Sequence, residues 1–243
     1  MIPKRAVNHK VLLWLSVAAL VAIVVAYLTL GSNSARQARE FAARADVPTV
    51  QPGADVLAGI AVLPGRQHRY DYLRSRFGLA WDDDNDAPLG HNGCDTRNDI
   101  LNRDLVDKTY VSIKRCPDAV ATGTLRDPYT SATIFFQRGA KIGEAVQIDH
   151  IVPLAYAWDM GAYGWSDESR KRFANDPANL LAVQGQANQD KGDLPPGQWM
   201  PPNAAFHCQY AMQFIAVLRG YGLPVDAASV PVLQRAADTC PKG

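Results

Sequence analysis

Asp149 and His150 stand side by side inside "VQIDHIVPLAYAW", Val146–Trp158, a stretch otherwise rich in apolar residues. A charged pair is costly to bury, so a carboxylate beside an imidazole in this setting needs a reason. A neutral histidine can take a proton from water near pH 7. A carboxylate offers an anionic oxygen to a hard cation, and Asn188 further along the chain offers a neutral amide oxygen. Mg²⁺ accepts few protein oxygens and keeps several waters. It can stabilise charge on a phosphate and on its leaving oxygen. Together these groups describe metal-assisted phosphodiester hydrolysis. The plainer readings are a structural ion pair at a strand end for Asp149-His150 and a helix cap for Asn188.

The elements that must position these residues can be read around them. "AVQIDHIVP" (Ala145–Pro153) and "SATIFFQRG" (Ser131–Gly139) read as strands joined by a turn around Gly139–Gly143. "SDESRKRFAND" opens with a serine cap and acids in its first turn, so a helix is expected over Ser166–Asp176. "NLLAVQ" (Asn179–Gln184) is a short apolar strand, and "GQANQDKGD" starts a short helix bearing Asn188 and Lys191. A hairpin plus helix can gather Asp149, His150 and Asn188. Adjacent strand residues point to opposite faces, so Asp149 and His150 share one site only if the backbone bends there. "DTRNDILNRDLVDK" spaces Ile100, Leu101 and Leu105 on one helical face over Asp95–Lys108, capped by Asp95 or Thr96. Two later helices fit within Asn203–Gly222 and Asp226–Cys240, with Pro231 in the first turns of the second or splitting it.

"IDHIVPL" followed by "NDPANLLAVQGQANQDKGD" resembles the HNH, or His-Me finger (ββα-metal), endonucleases, and most of all their secreted actinobacterial subgroup. "NGCDTRNDIL" and "RDPYTSATIFFQRG" are similar to the same subgroup, and the likeness spans roughly Val56 to Cys240. The resemblance implies an α+β fold with a ββα-metal core wrapped by helices. It implies His150 as general base, Asp149 and Asn188 as metal ligands, and Asn179 as the residue that pins the loop between the strands. Mg²⁺ is the implied cofactor, with Mn²⁺ or Ca²⁺ as alternatives. DNA is the implied substrate, with RNA as an alternative, and the products would carry 5′-phosphate and 3′-hydroxyl ends. The third letter of the family name is here an asparagine, which suits Mg²⁺ better than a soft metal. Without paired CxxC motifs, the structural zinc of some HNH proteins is not expected.

Two cations could meet phosphate. Arg97 lies in the first turn of a helix, where a positive charge opposes the helix dipole. That suits a phosphate contact, which the resemblance favours, and equally an ion pair with Asp95, Asp99 or a distant acid. Lys191 could touch phosphate or be a solvated surface lysine. Three further clusters have plainer readings. "WDDDND" (Trp81–Asp86) could hold calcium but lacks the EF-hand spacing, so it reads as a solvated loop. "RKR" (Arg170–Arg172) reads as a helix face, and His207 beside Cys208 as helix surface near a disulfide.

Of 243 residues, 47% are apolar and 20% charged, an ordinary globular composition. Val11–Leu30 is apolar enough and, at about 1.5 Å per residue, long enough to cross roughly 30 Å of hydrocarbon. Lys4, Arg5 and Lys10 precede it and no acid occurs before Glu40, so residues 1–10 are expected in the cytoplasm and the remainder outside. A cleaved signal peptide is the competing reading. The expected organisation is a membrane span at 11–31, a linker at 32–54 and an exported nuclease domain at 55–243, secreted if the first segment is removed. Four cysteines, Cys94, Cys116, Cys208 and Cys240, suggest two disulfides in an exported domain. Three pairings are possible, and Cys94–Cys116 with Cys208–Cys240 is favoured because each pair brackets a helical stretch. Beyond the apolar run, 22 bases face 24 acids. The domain is not a globally basic nucleic-acid binder, and a polyanion would have to meet a local patch. A tethered, non-catalytic binding domain and a hydrolase of an envelope phosphodiester polymer are the rival readings.

Overall fold

Asp95 starts the first helix. Its carboxylate accepts from the Asn98 amide at 2.8 Å, which satisfies one of the orphan donors of the first turn. Helix α1 (Thr96–Asp104) buries Ile100 and Leu101. It stops short of the expected Lys108 because Leu105 turns extended and buries itself against the following strands. The chain continues as β2 (Val106–Ile113), antiparallel to β3 (Cys116–Arg126), with β4 (Thr133–Gln137) on the far edge of β3. Gly123 in β3 permits the close approach of Leu105, since a Cβ there would lie 2.9 Å from Leu105 Cδ2.

The computed structural model describes residues 48–139 and 145–242. The expected span at 11–31, the residues before it, most of the linker and most of the Gly139–Gly143 turn lie outside the described residues. Among the described residues no helix is long and apolar enough to cross a membrane. The last part of the expected linker belongs to the domain. Val50 is buried, its amide donates to the Pro241 carbonyl at 3.0 Å, and Gln234 donates to the Ala54 carbonyl at 3.1 Å.

Strand β5 (Val146–His150) does not pair with β4, as the turn between them had suggested. β4 forms its ladder with β3, while β5 pairs antiparallel with β6 (Leu180–Gln184). Ile148, His150, Leu180 and Ala182 are all buried, so joining these two apolar strands shields both. Helix α4 (Gly185–Lys191) follows β6 directly and completes a strand–strand–helix unit. Helices α2 (Leu154–Asp159) and α3 (Asp167–Asn175) are inserted between its strands. Ser166 caps α3 by accepting from the Ser169 amide at 3.2 Å, and Asp167 and Glu168 favour the positive end of its dipole.

Helix α5 (His207–Tyr221) ends on Gly222, whose φ of +63° suits glycine. Helix α6 (Val230–Ala237) carries Pro231 in its first turn, where no amide hydrogen is needed. Strands β1 (Val62–Leu63) and β7 (Val225–Asp226) form a short parallel pair. The larger core gathers Tyr156, Phe173, Tyr210, Phe214 and Leu218. The smaller one lies between α1 and strands β3–β6, around Ile100, Leu101, Leu125 and Leu180. The disulfides have the sequence-local pairing. Cys94–Cys116 ties the approach to α1 to the start of β3, and Cys208–Cys240 ties α5 to the segment after α6. The described chain is an α+β fold.

Candidate active site

Asn179 marks where the β5–β6 ladder ends. Its side-chain oxygen accepts from the Val152 amide at 2.8 Å, and its side-chain nitrogen donates to the Val152 carbonyl at 3.2 Å. The Ile151 amide donates to the Asn179 carbonyl at 2.8 Å. The fully buried Asn179 thus supplies backbone-like bonds to the loop after His150 and fixes how the chain leaves β5.

Asp149 and His150 turn to opposite sides, as adjacent strand residues must. His150 faces α3. Its Nε2 lies 2.9 Å from the Ala174 carbonyl, and its ring stacks on Trp81 with centroids 5.7 Å apart. A carbonyl oxygen can only accept, so Nε2 carries the proton and Nδ1 keeps its lone pair. Burial holds the imidazole pKa down, to about 3, with the Ala174 bond opposing and the Arg74 and Lys191 charges adding to the fall. The ring is therefore neutral at pH 7. Trp81 reaches it from a left-handed backbone conformation, φ +59°, which is rare for a bulky residue.

Asp149 faces α4. Lys191 Nζ lies 2.9 and 2.7 Å from its two oxygens and 2.7 Å from the His150 carbonyl. The Tyr129 hydroxyl donates to Oδ2 at 2.5 Å. Burial pushes the carboxyl up and the ammonium down, and their mutual attraction opposes both shifts. Lys191 has no exposed side-chain surface. It is neither the phosphate contact nor the solvated lysine expected from the sequence: a group with no surface cannot meet a polymer.

Asp149 and His150 nevertheless border one cleft of about 610 Å³, together with Asn188, Gln147, Arg97 and Arg74. Asn188 donates from its side-chain nitrogen to Gln147 Oε1 at 2.8 Å, which leaves its amide oxygen for another partner. Arg97 donates to the Val146 carbonyl at 3.0 Å, and burial lowers its pKa. Among the described residues, neither Arg97 nor Arg74 has a carboxylate within 4.0 Å, so Arg97 is not paired with Asp95 or Asp99. The two carboxylates of the cleft each have a cation: Asp149 has Lys191, and Asp193 has Arg66 at 2.6 Å. Among the described residues, the unpaired charges facing the cleft are thus arginines, although the domain as a whole is slightly acidic.

Sequence reasoning missed Arg74, Trp81, Tyr129 and Gln147. Arg74 opens a short 3-10 turn (Arg74–Phe77) and Trp81 lies in irregular chain, and neither has a periodicity to single it out. Gln147 was legible as the residue two before Asp149, on the same strand face. The other clusters are structural. Asp82 pairs with Lys171 at 2.9 Å, Asp83 accepts from the Asn92 and Gly93 amides, and Arg170 is buried. His207 Nε2 bonds to the Pro201 carbonyl at 2.8 Å. Among the described residues no three His, Cys, Asp or Glu side chains gather as a metal cluster. A second groove, of about 560 Å³ beside α5, shares no residue with the cleft.

Comparison with known proteins gives two matches. Residues 95–229 match the family model described as the C-terminal domain of GmrSD restriction endonucleases. An uncharacterised secreted protein of Arthroderma benhamiae is 34% identical over 200 residues, covering 80% of this chain and 88% of that protein. No solved structure matches.

Proposed function

Because the chain belongs to the family of GmrSD restriction endonuclease C-terminal domains, an HNH-type family of nucleases, we propose that it is a metal-dependent endonuclease cutting DNA outside the cytoplasm. The observation that carries this reading is His150: a neutral imidazole whose Nε2–H is held by the Ala174 carbonyl, at a cleft whose unpaired charges are arginines. Arg74 and Arg97 bind and orient the scissile phosphate. Nδ1 takes a proton from water as the water oxygen bonds to phosphorus, and the bond to the 3′ oxygen breaks. The departing oxygen takes a proton from solvent. A phosphate anion nearby favours the imidazolium, which lifts the base from its low resting pKa as substrate arrives.

The donor set fits a hard cation. Asp149 and the free amide oxygen of Asn188 are both oxygens, and Mg²⁺ with few protein ligands fills its shell with water and phosphate. Lys191 and Tyr129 share Asp149, so such a site is weak until phosphate adds its oxygens. The cation, when bound, stabilises charge on the phosphate and on the departing oxygen.

Two disulfides and the secreted relative support action where thiols are oxidised. We assign the Val11–Leu30 run as a retained anchor. The chain should stay with carbonate-washed membranes, and a mature N-terminus beyond Ala35 would overturn the anchor alone. The function is tested with the oxidised full chain on plasmid and on RNA, with Mg²⁺, with EDTA and as His150→Ala. Plasmid cutting should stop with EDTA and fall about 10²–10⁴-fold in the variant. Cutting that survives His150→Ala assigns the chemistry elsewhere. No cutting by folded protein with Mg²⁺, Mn²⁺ or Ca²⁺ overturns the reading.

A further inference from the structure

A second pocket opens beside the cleft. Its walls are Phe77, Leu79, Ala80, Trp81, Leu154 and Ala174, and it encloses about 240 Å³. It is not a separate feature of the surface, because Arg74, Trp81, Leu154 and His150 line both spaces. The general base and its stacked tryptophan therefore stand between a polar, arginine-bearing cleft and a mainly apolar pocket that Arg74, Ser75 and His150 also line. At about 30 Å³ per liquid water the pocket would hold about eight waters. It is smaller than the roughly 300–1,000 Å³ that enclose drug-sized ligands. A single planar heterocycle fits; a base pair does not.

We propose that this pocket receives the base of the nucleotide next to the scissile phosphate, so that the enzyme cuts single strands in preference to duplex. The inference rests on the nuclease reading and names its substrate class. A phosphate held by Arg74 and Arg97 carries its own nucleoside with it, and the nearest apolar space lies directly across Arg74. Aromatic and aliphatic walls suit any base face and discriminate little between sequences. A base paired and stacked in a duplex cannot enter without being unpaired, unstacked and flipped out. The backbone supports this arrangement. Trp81, in its left-handed conformation, and Gly78, with φ +87°, shape the segment that forms the pocket wall. Leu79, which lines the pocket, leaves 77% of its surface exposed.

The test uses the oxidised full chain with Mg²⁺ and a single-stranded oligonucleotide whose cut position is first mapped. Abasic residues are then placed on either side of that position, and the matching duplex is tested in parallel. The base-bearing strand should be cut at least tenfold faster than the strand lacking one of the two bases, and faster than the duplex. Ala80→Trp, at an exposed position, fills the pocket. It should slow cutting of the base-bearing strand and narrow its advantage over the abasic strand to within about twofold. Equal cutting of abasic and base-bearing strands by the wild type, or faster cutting of the duplex, overturns the pocket and leaves the nuclease standing. Failure to cut any oligonucleotide overturns both.

Discussion

Lys191→Met would leave the Asp149 carboxylate in the interior with Tyr129 as its one remaining side-chain donor among the described residues. Removing one partner of a buried pair costs about 3–5 kcal/mol, so the urea midpoint should fall steeply. Asp149→Asn in the same chain should recover part of the loss. A change under about 1 kcal/mol would show that the pair is not ionic in the folded state. Asp99 gives the opposite case. Burial, with Asp83 and Asp95 nearby, pushes its carboxyl up to about 6 against an ordinary 3.8, while the Asn92 bond opposes the shift. Between those values the folded chain holds a proton that the unfolded chain has lost, so stability falls as pH rises through that window. Asp99→Asn should flatten this slope and be relatively more stabilising at pH 7 than at pH 4, read as melting temperature against pH. Equal slopes in the two proteins would assign the titration elsewhere. These roles are unevenly legible. The sequence displays Asp149 and His150 as chemistry because their neighbours are apolar. The burial of Lys191 is invisible there, since it depends on Tyr129, which lies far back in the chain.

The strand–strand–helix unit was legible because its signals are local: an apolar strand, an asparagine at the mouth of the next, and a short helix behind. The β2–β3 hairpin was not, because the helical spacing of Ile100, Leu101 and Leu105 extends one residue past the true helix end. The Thr, Tyr and Val content of β2 is the signal that competes with it. Nor could spacing show that β4 turns to β3 and leaves β5 for β6, since strand partners are set by which faces remain to be covered. The Cys94–Cys116 bridge closes a sequence separation of 22 residues, spanning α1 and β2. In the chain-entropy model a loop of this size is worth about 3 kcal/mol. Cys94→Ser/Cys116→Ser should lose about that much and should also slow cutting, because Arg97 sits one turn from the bridge. A double variant with unchanged activity would show that the smaller core alone holds Arg97 in place.

At the scale of the whole molecule, 22 bases against 24 acids beyond the apolar run give no long-range pull on a polyanion. Contact with nucleic acid is expected at the cleft, where, among the described residues, both carboxylates have a cation partner and two arginines have no carboxylate within 4.0 Å. Affinity should therefore fall with salt on a shallow slope. Arg74→Ala should reduce that slope by about one unit in a log–log plot while weakening binding to all sequences alike. A slope unchanged in the variant would place the phosphate elsewhere. The two disulfides give this same molecule a further property. A cell that makes a nuclease carries its own genome within reach of it during synthesis. Cys94–Cys116 ties down the segment leading into Arg97, and reducing thiols keep that tie open in the cytoplasm. The bridge is therefore expected to act as a safety catch, with full activity reached only once oxidation has closed it. Titrating activity against a thiol buffer would show the catch directly, as cutting that rises with oxidation, whereas equal rates for the reduced and oxidised chains would mean that the host needs some other protection.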